Sequence, residues 1–160
     1  MHNLSMPPKL KPVPPPIDVP EKTVSNPLEG LLGYQLRRAS VCMLADLASS
    51  LSDLELRVTE ASVLMVLLEN PSITQSEIGR TLDVQRANMV PLTTQLERRG
   101  LICRAAAVGR AQALRLTAEG EAIAKECQKR IEAHEARFLT RLPCPERDKL
   151  VAQIREIWED

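Results

Sequence analysis

The stretch Ile73-Thr-Gln-Ser-Glu-Ile-Gly-Arg-Thr-Leu-Asp-Val-Gln-Arg-Ala-Asn-Met-Val-Pro-Leu92 decides the fold. Thr74 and Glu77 stand at the spacing of a capping box, and Ile73 and Ile78 occupy the two positions of a hydrophobic staple. A short helix is therefore expected from Thr74 to about Leu82. Asp83-Val84 makes a turn, and a second helix runs from about Gln85 to Arg99, where Gly100 takes the position of a C-terminal cap. Beyond it, Leu101–Arg104 and Gln112–Leu116 are short strand candidates, the second alternating in polarity, with Gly109 permitting a tight hairpin between them. A short capped helix, a tight turn, a second helix and a hairpin describe a winged helix-turn-helix. The arrangement suits groove geometry: the major groove admits one helix, the preceding helix braces it, and the hairpin reaches an adjoining minor groove or phosphate.

Working outward, Leu28, Leu32, Leu36, Ala39, Met43, Leu47, Leu51 and Leu54 recur at three- and four-residue steps. They mark one face of a helix reaching about residue 51. Thr59 is a good N-cap for a helix that Asn70-Pro71 ends. On the other side, Thr117 caps a long helix to about Arg141, with Ile123, Cys127, Ile131, Phe138 and Leu142 as its apolar stripe. Pro143 and Pro145 precede a last helix, whose apolar side is Leu150, Val151, Ile154, Ile157 and Trp158. The fold class is thus mainly α, with a small β-hairpin wing. Eight of the twelve prolines fall in residues 1–27, a segment that favours polyproline II and reads as a flexible arm. Residues 28–160 form the remainder, with helices at 28–57 and 117–160 flanking the winged part at 58–116.

Composition narrows the function. The 160 residues are 44% apolar and 26% charged, ordinary values for a soluble globular chain. Apolar runs are too short to span a bilayer, no signal peptide is visible, and the chain reads as cytoplasmic. Four cysteines without a Cys-x-x-Cys pair exclude a zinc ribbon, and two histidines nearly exclude a histidine-based metal or catalytic site. Nucleophile elbow, phosphate loop and metal-ligand cluster are all lacking, so no cofactor, metal or enzymatic activity is expected. Net charge is zero, yet it is unevenly divided: residues 74–116 carry seven arginines against three acidic residues. A local basic patch on a neutral chain is the footprint of a phosphate-backbone partner, or else a solvated surface.

Taken with Leu96-Glu-Arg-Arg-Gly-Leu-Ile102 and Leu114-Arg-Leu-Thr-Ala-Glu-Gly120, the opening stretch strongly resembles the MarR family of bacterial transcription regulators. The resemblance covers about residues 28–158. It implies a homodimer built from the first and last helices, a pseudo-palindromic double-stranded DNA operator, and a small effector, commonly a phenolic or aromatic acid, that releases the protein from DNA. It places the recognition helix at Gln85–Arg99, with Val84, Met89, Leu92 and Leu96 inward and Gln85, Arg86, Asn88, Val90, Pro91 and Thr94 towards the groove. Gln and Asn can pair with adenine and Arg with guanine. The wing arginine corresponds to Arg110, although the acidic residue usual two positions before it is Val108 here. Pro91 removes a backbone donor inside the recognition helix and should bend or loosen it.

The resemblance puts the effector site between the dimer helices and the winged part. Tyr34, Arg37 and Arg38 are its candidates, a guanidinium pairing with an aromatic carboxylate; salt bridging or plain packing is the alternative for each. Cys42 could instead be a thiol sensor of peroxides, but relatives of that kind carry the cysteine near Arg37, so a small buried residue is expected here. Cys103 and Cys127 read as core, and His134 has no evident partner. The main reading is a dimeric, ligand-released repressor; a winged-helix module that binds protein stands beside it.

Overall fold

The computed structural model describes residues 24–108, 111–142 and 147–159. Arg110, Cys144 and most of the proline-rich arm lie outside them. The element order is α1 (Leu32–Ser50), a 3-10 turn (Ser52–Leu54), α2 (Val58–Glu69), β1 (Ile73–Thr74), α3 (Gln75–Thr81), α4 (Arg86–Arg98), β2 (Ile102–Val108), β3 (Ala111–Leu116), α5 (Ala118–Leu139) and α6 (Arg147–Arg155). No described helix is long and apolar enough to cross a membrane.

The expected elements are present, with shifted ends. Helix α1 begins four residues after Leu28, because the Asn26 side chain accepts the Leu28 N–H at 3.1 Å and closes a turn first. Helix α2 starts at Val58 with Arg57 as N-cap, not at Thr59. The reason is Glu60: its carboxylate accepts the Arg57 N–H at 2.8 Å, and the side chain is fully buried. Thr117 caps α5 as expected, accepting the Gly120 N–H at 3.0 Å, and the helix ends at Leu139 rather than Arg141.

Three strands form, not two. The order is β1-β3-β2, all antiparallel, with Ile73 opposite Leu114 and Ile102 opposite Leu116. The two-residue β1 has no alternation to read; it exists only because β3 offers it an edge. This short strand welds the start of α3 to the wing.

Burial is concentrated in the middle of the chain. Leu64, Leu67, Ile78, Met89, Leu96, Ile102, Leu114 and Cys127 meet in one core. Neither α1 nor α6 contributes a buried residue. Helix α1 is instead tied to α5 by polar contacts. Arg137 bonds Asp46, Arg130 bonds Asp53 and the Ser50 carbonyl, and His134 Nε2 lies 2.9 Å from the Met43 carbonyl oxygen. His134, without an evident partner in the sequence, is thus a buried pin between helices, its ring 4.9 Å from that of Phe138. Two cysteine expectations fail. Cys42 is exposed because nothing among the described residues covers its side of α1, and Cys103 is exposed because it pairs with Arg115 on the outward face of the hairpin. Cys127 is buried as expected, and burial raises its thiol above the ordinary value.

Candidate nucleic-acid interface

The interface grows from the cap of α3. Thr74 Oγ1 accepts the Glu77 N–H at 3.3 Å, and Glu77 Oε2 accepts the Thr74 N–H at 2.8 Å, closing the capping box. The Thr74 hydroxyl also donates to Glu77 Oε2 at 2.6 Å, and this bond, then that from the Thr74 N–H, holds the Glu77 carboxyl below the usual carboxylate range. Ile78 is fully buried and Ile73 packs against the core, so the staple forms too. Asp83 then adopts φ 51°, in the left-handed region where Asp is among the tolerated residues, and the Val84 N–H bonds the Gly79 carbonyl at 2.8 Å. The turn closes so tightly that a Cβ on Gly79 would sit 3.0 Å from the Val84 carbonyl oxygen. Absence of a side chain there sets how closely α3 approaches the start of α4.

Helix α4 runs through Pro91 without a break. Proline withholds the N–H that the Ala87 carbonyl would receive, on the exposed side of the helix where water can take its place. Two residues on, the buried Thr93 hydroxyl lies 3.1 Å from the Met89 carbonyl and 3.2 Å from that of Val90, the back-bonding pattern that accompanies bent helices. Met89, Leu92 and Leu96 are buried and Val84 is half-buried. Gln85, Arg86, Asn88, Val90 and Pro91 are exposed together, forming a ridge along the first two turns. Thr94, one turn beyond Val90 and Pro91 on the same side of the helix, is half-buried.

Concavities lie on both sides of the ridge. One, of about 780 Å³, is lined by Gln75, Ser76 and Arg80 of α3, Arg86 of α4, and Arg104 and Gln112 of the hairpin. The other, of about 610 Å³, is lined by Arg57, Thr59, Asp83, Asn88 and Pro91. A ridge of readable side chains between a basic hollow with three arginines and a second hollow that carries Arg57 beside Asp83 suits the section of a major groove, whose floor carries base edges and whose walls carry phosphates. Arg57 is oriented by Gln95, which accepts from Nη2 at 2.8 Å. Arg99, by contrast, spends its guanidinium on the Leu54 and Glu55 carbonyls at 2.9 and 2.6 Å, and so holds the end of α4 to the 3-10 turn that precedes α2.

The sequence alone did not assign Arg57, Thr59, Ser76, Arg80 or Arg104 to the interface. The arginine-rich stretch 74–116 contained Arg80 and Arg104, so a signal was present for these. Arg57 and Thr59 precede that stretch and reach the ridge only through folding.

The three effector candidates gather on α1. Tyr34 Oη accepts from Arg38 Nη1 at 3.2 Å and from Asn26 Nδ2 at 3.0 Å, and the Arg37 and Arg38 guanidinium carbons lie 5.6 and 5.8 Å from its ring centroid. The Arg38 bond, then that of Asn26, lowers the Tyr34 hydroxyl below its ordinary pKa. This cationic, aromatic cluster sits apart from the core on a helix that contributes no buried residue.

Known proteins share this architecture. Residues 56–108 match the MarR family. The HTH-type transcriptional repressor Rv2887 of Mycobacterium tuberculosis is 30% identical over 131 residues, covering 81% of this chain and 94% of the relative. Among solved structures, the transcriptional repressor CouR bound to a 23-mer DNA duplex superposes with a TM-score of 0.75 at 34% identity, over 81% of this chain and 94% of CouR. CouR bound to p-coumaroyl-CoA gives a TM-score of 0.75 at 33% identity, over 83% and 95% of the respective chains.

Proposed function

This chain belongs to the MarR family of transcription regulators, and from that premise we propose that it is a dimeric, sequence-specific repressor released from its operator by an aromatic acid or its thioester. The observation that carries the reading is the exposed ridge Gln85–Pro91 standing between two arginine-lined hollows. Gln85, Arg86, Asn88, Val90 and Pro91 read base edges, with Thr94 at the rim; Arg57 and Arg80 hold phosphates; Arg110 reaches from the wing to the minor groove or a phosphate. Residues 58–116 are the DNA-reading part. Residues 28–57 and 117–160 join two copies, so that two ridges meet half-sites about one helical turn apart. In this reading the protein works in the cytoplasm, beside its DNA.

Tyr34, Arg37 and Arg38 form the effector site in this reading. A guanidinium pairs with the carboxylate of an acid or the phosphates of a coenzyme A thioester, and Tyr34 stacks on the aromatic group. CouR, a relative with a bound aromatic thioester, supports that chemistry. A gel-shift with the protein's own promoter DNA and excess competitor tests the first half. Retention of the specific band supports a repressor, whereas no preference over competitor makes the chain a protein-binding winged helix. Adding p-coumaroyl-CoA or salicylate to the shifted complex tests the second half: release supports the effector class, and Arg38→Ala should blunt it.

A further inference from the structure

Arg104 stands where the hairpin leaves the core. Its register partner is Leu114, so it shares the inward face of β2 with Ile102, but it emerges past the end of the apolar packing. Its Nε lies 3.1 and 3.3 Å from the two carboxylate oxygens of Glu97, in the last turns of α4, and its Nη1 donates to Gln112 Oε1 of β3 at 3.0 Å. One guanidinium therefore links both strands of the wing to the recognition helix. Among the described residues it is the only hairpin side chain hydrogen-bonded to α4.

The arrangement is poorly suited to mere stabilisation. The Arg104 and Glu97 side chains are 42% and 37% exposed, and ion pairs that wet contribute little to folding. Its value is geometric. A guanidinium carries five N–H groups in a rigid fork, and the two acceptors engage two of them. The remaining edge is unclaimed within the described chain, and Arg104 borders the same hollow as Arg80 and Arg86.

We propose that Arg104 is a further phosphate-binding residue of the DNA interface, held in position by Glu97 and Gln112, through which the wing and the recognition helix engage one strand as a unit. The inference rests on the DNA-binding reading above. It makes an unusual demand of Glu97. A carboxylate beside the DNA face repels phosphates, so on charge alone its removal strengthens binding; as a positioning residue its removal weakens binding.

The test is fluorescence anisotropy of labelled promoter DNA against wild-type protein, Arg104→Ala, Arg104→Lys and Glu97→Gln, each over a range of salt. For Arg104→Ala the slope of log affinity against log salt should fall by about 0.9, and affinity near 0.1 M salt by roughly eightfold, the change one phosphate contact implies. Arg104→Lys should recover the slope without the full affinity, since an ammonium makes no fork. Glu97→Gln should weaken binding at unchanged slope. Tighter binding by Glu97→Gln, or a wild-type slope in Arg104→Ala, overturns the proposal while leaving the repressor reading intact. Wild-type protein that ignores the DNA overturns both. Partial unfolding of a variant lowers its active fraction but leaves the salt slope of the folded remainder unchanged, so the slope stays decisive.

Discussion

Arg86 is the single side chain on which base reading most depends. It occupies the first position of α4, where a recognition helix meets the groove floor, and it borders the larger hollow. If it pairs with guanine through both ends of its fork, Arg86→Ala costs specific binding roughly 1–3 kcal/mol and non-specific binding much less. Equal losses on operator and random DNA would make it a phosphate contact. Val90 and Pro91 invite a different measurement. Val90 is 51% exposed beside a proline on a surface meant for polar edges. Apolar atoms there have a natural partner in the thymine methyl, which only the major groove presents. Replacing thymine by uracil within each half-site should weaken binding by roughly 1 kcal/mol for every methyl read. Affinity indifferent to uracil would leave Pro91 as a bend that sets the angle of α4.

Elements matter here through their ends. Helix α3 is only seven residues long, too short to persist on propensity alone, so its cap carries unusual weight. Thr74→Ala removes the acceptor for the Glu77 N–H and should lower stability by about 1 kcal/mol in chemical denaturation. The same box has a pH signature. Because the folded-state pKa of Glu77 is depressed, its contribution is present above the unfolded value and fades as pH falls through the folded one. Glu77→Gln should therefore lower stability near neutrality, converge with wild type in acid and so flatten the acid limb of the stability profile; a parallel acid limb would show the carboxylate form to be immaterial. At the other side of the wing, α5 meets the chain at Gly120. A Cβ there would fall 1.8 Å from the Leu101 carbonyl oxygen, a backbone atom that cannot step aside. Gly120→Ala should destabilise by about 3 kcal/mol or more, and a melting temperature equal to wild type would show that this packing relaxes freely.

At the scale of the molecule, apolar surface is left over. Leu31, Leu32, Val41 and Leu44 are at least half exposed at or along α1, and Ile157 and Trp158 are exposed beyond α6. Surface of this extent marks an interface. The protein should sediment as a dimer at micromolar concentration, and a folded monomer would defeat that expectation. Trp158 supplies a second reading because it is the only tryptophan, 68% exposed in the single chain. Its emission should be blue-shifted in the dimer and move red on dilution. Emission characteristic of water at high concentration would place the interface elsewhere.

The helix-turn-helix was legible because its signals are local. A capping box, a staple and a left-handed turn each involve residues within five positions, so Thr74, Glu77, Ile78 and Asp83 specify their geometry before anything packs. Helical period likewise exposed the ridge of α4, since burying Met89 and Leu92 leaves Val90 and Pro91 outward. Tertiary structure decided what depends on partners distant in sequence. Glu60 moved the N-cap of α2 from Thr59 to Arg57, because its carboxylate, buried against the core, accepts the Arg57 N–H. Strand β1 formed only because β3 lay beside it, and Cys103 faced solvent because pairing with Arg115 chose its side. The hollows flanking the ridge follow the same logic: Arg57, Arg80 and Arg104 lie on separate elements, and only the fold brings them to one surface.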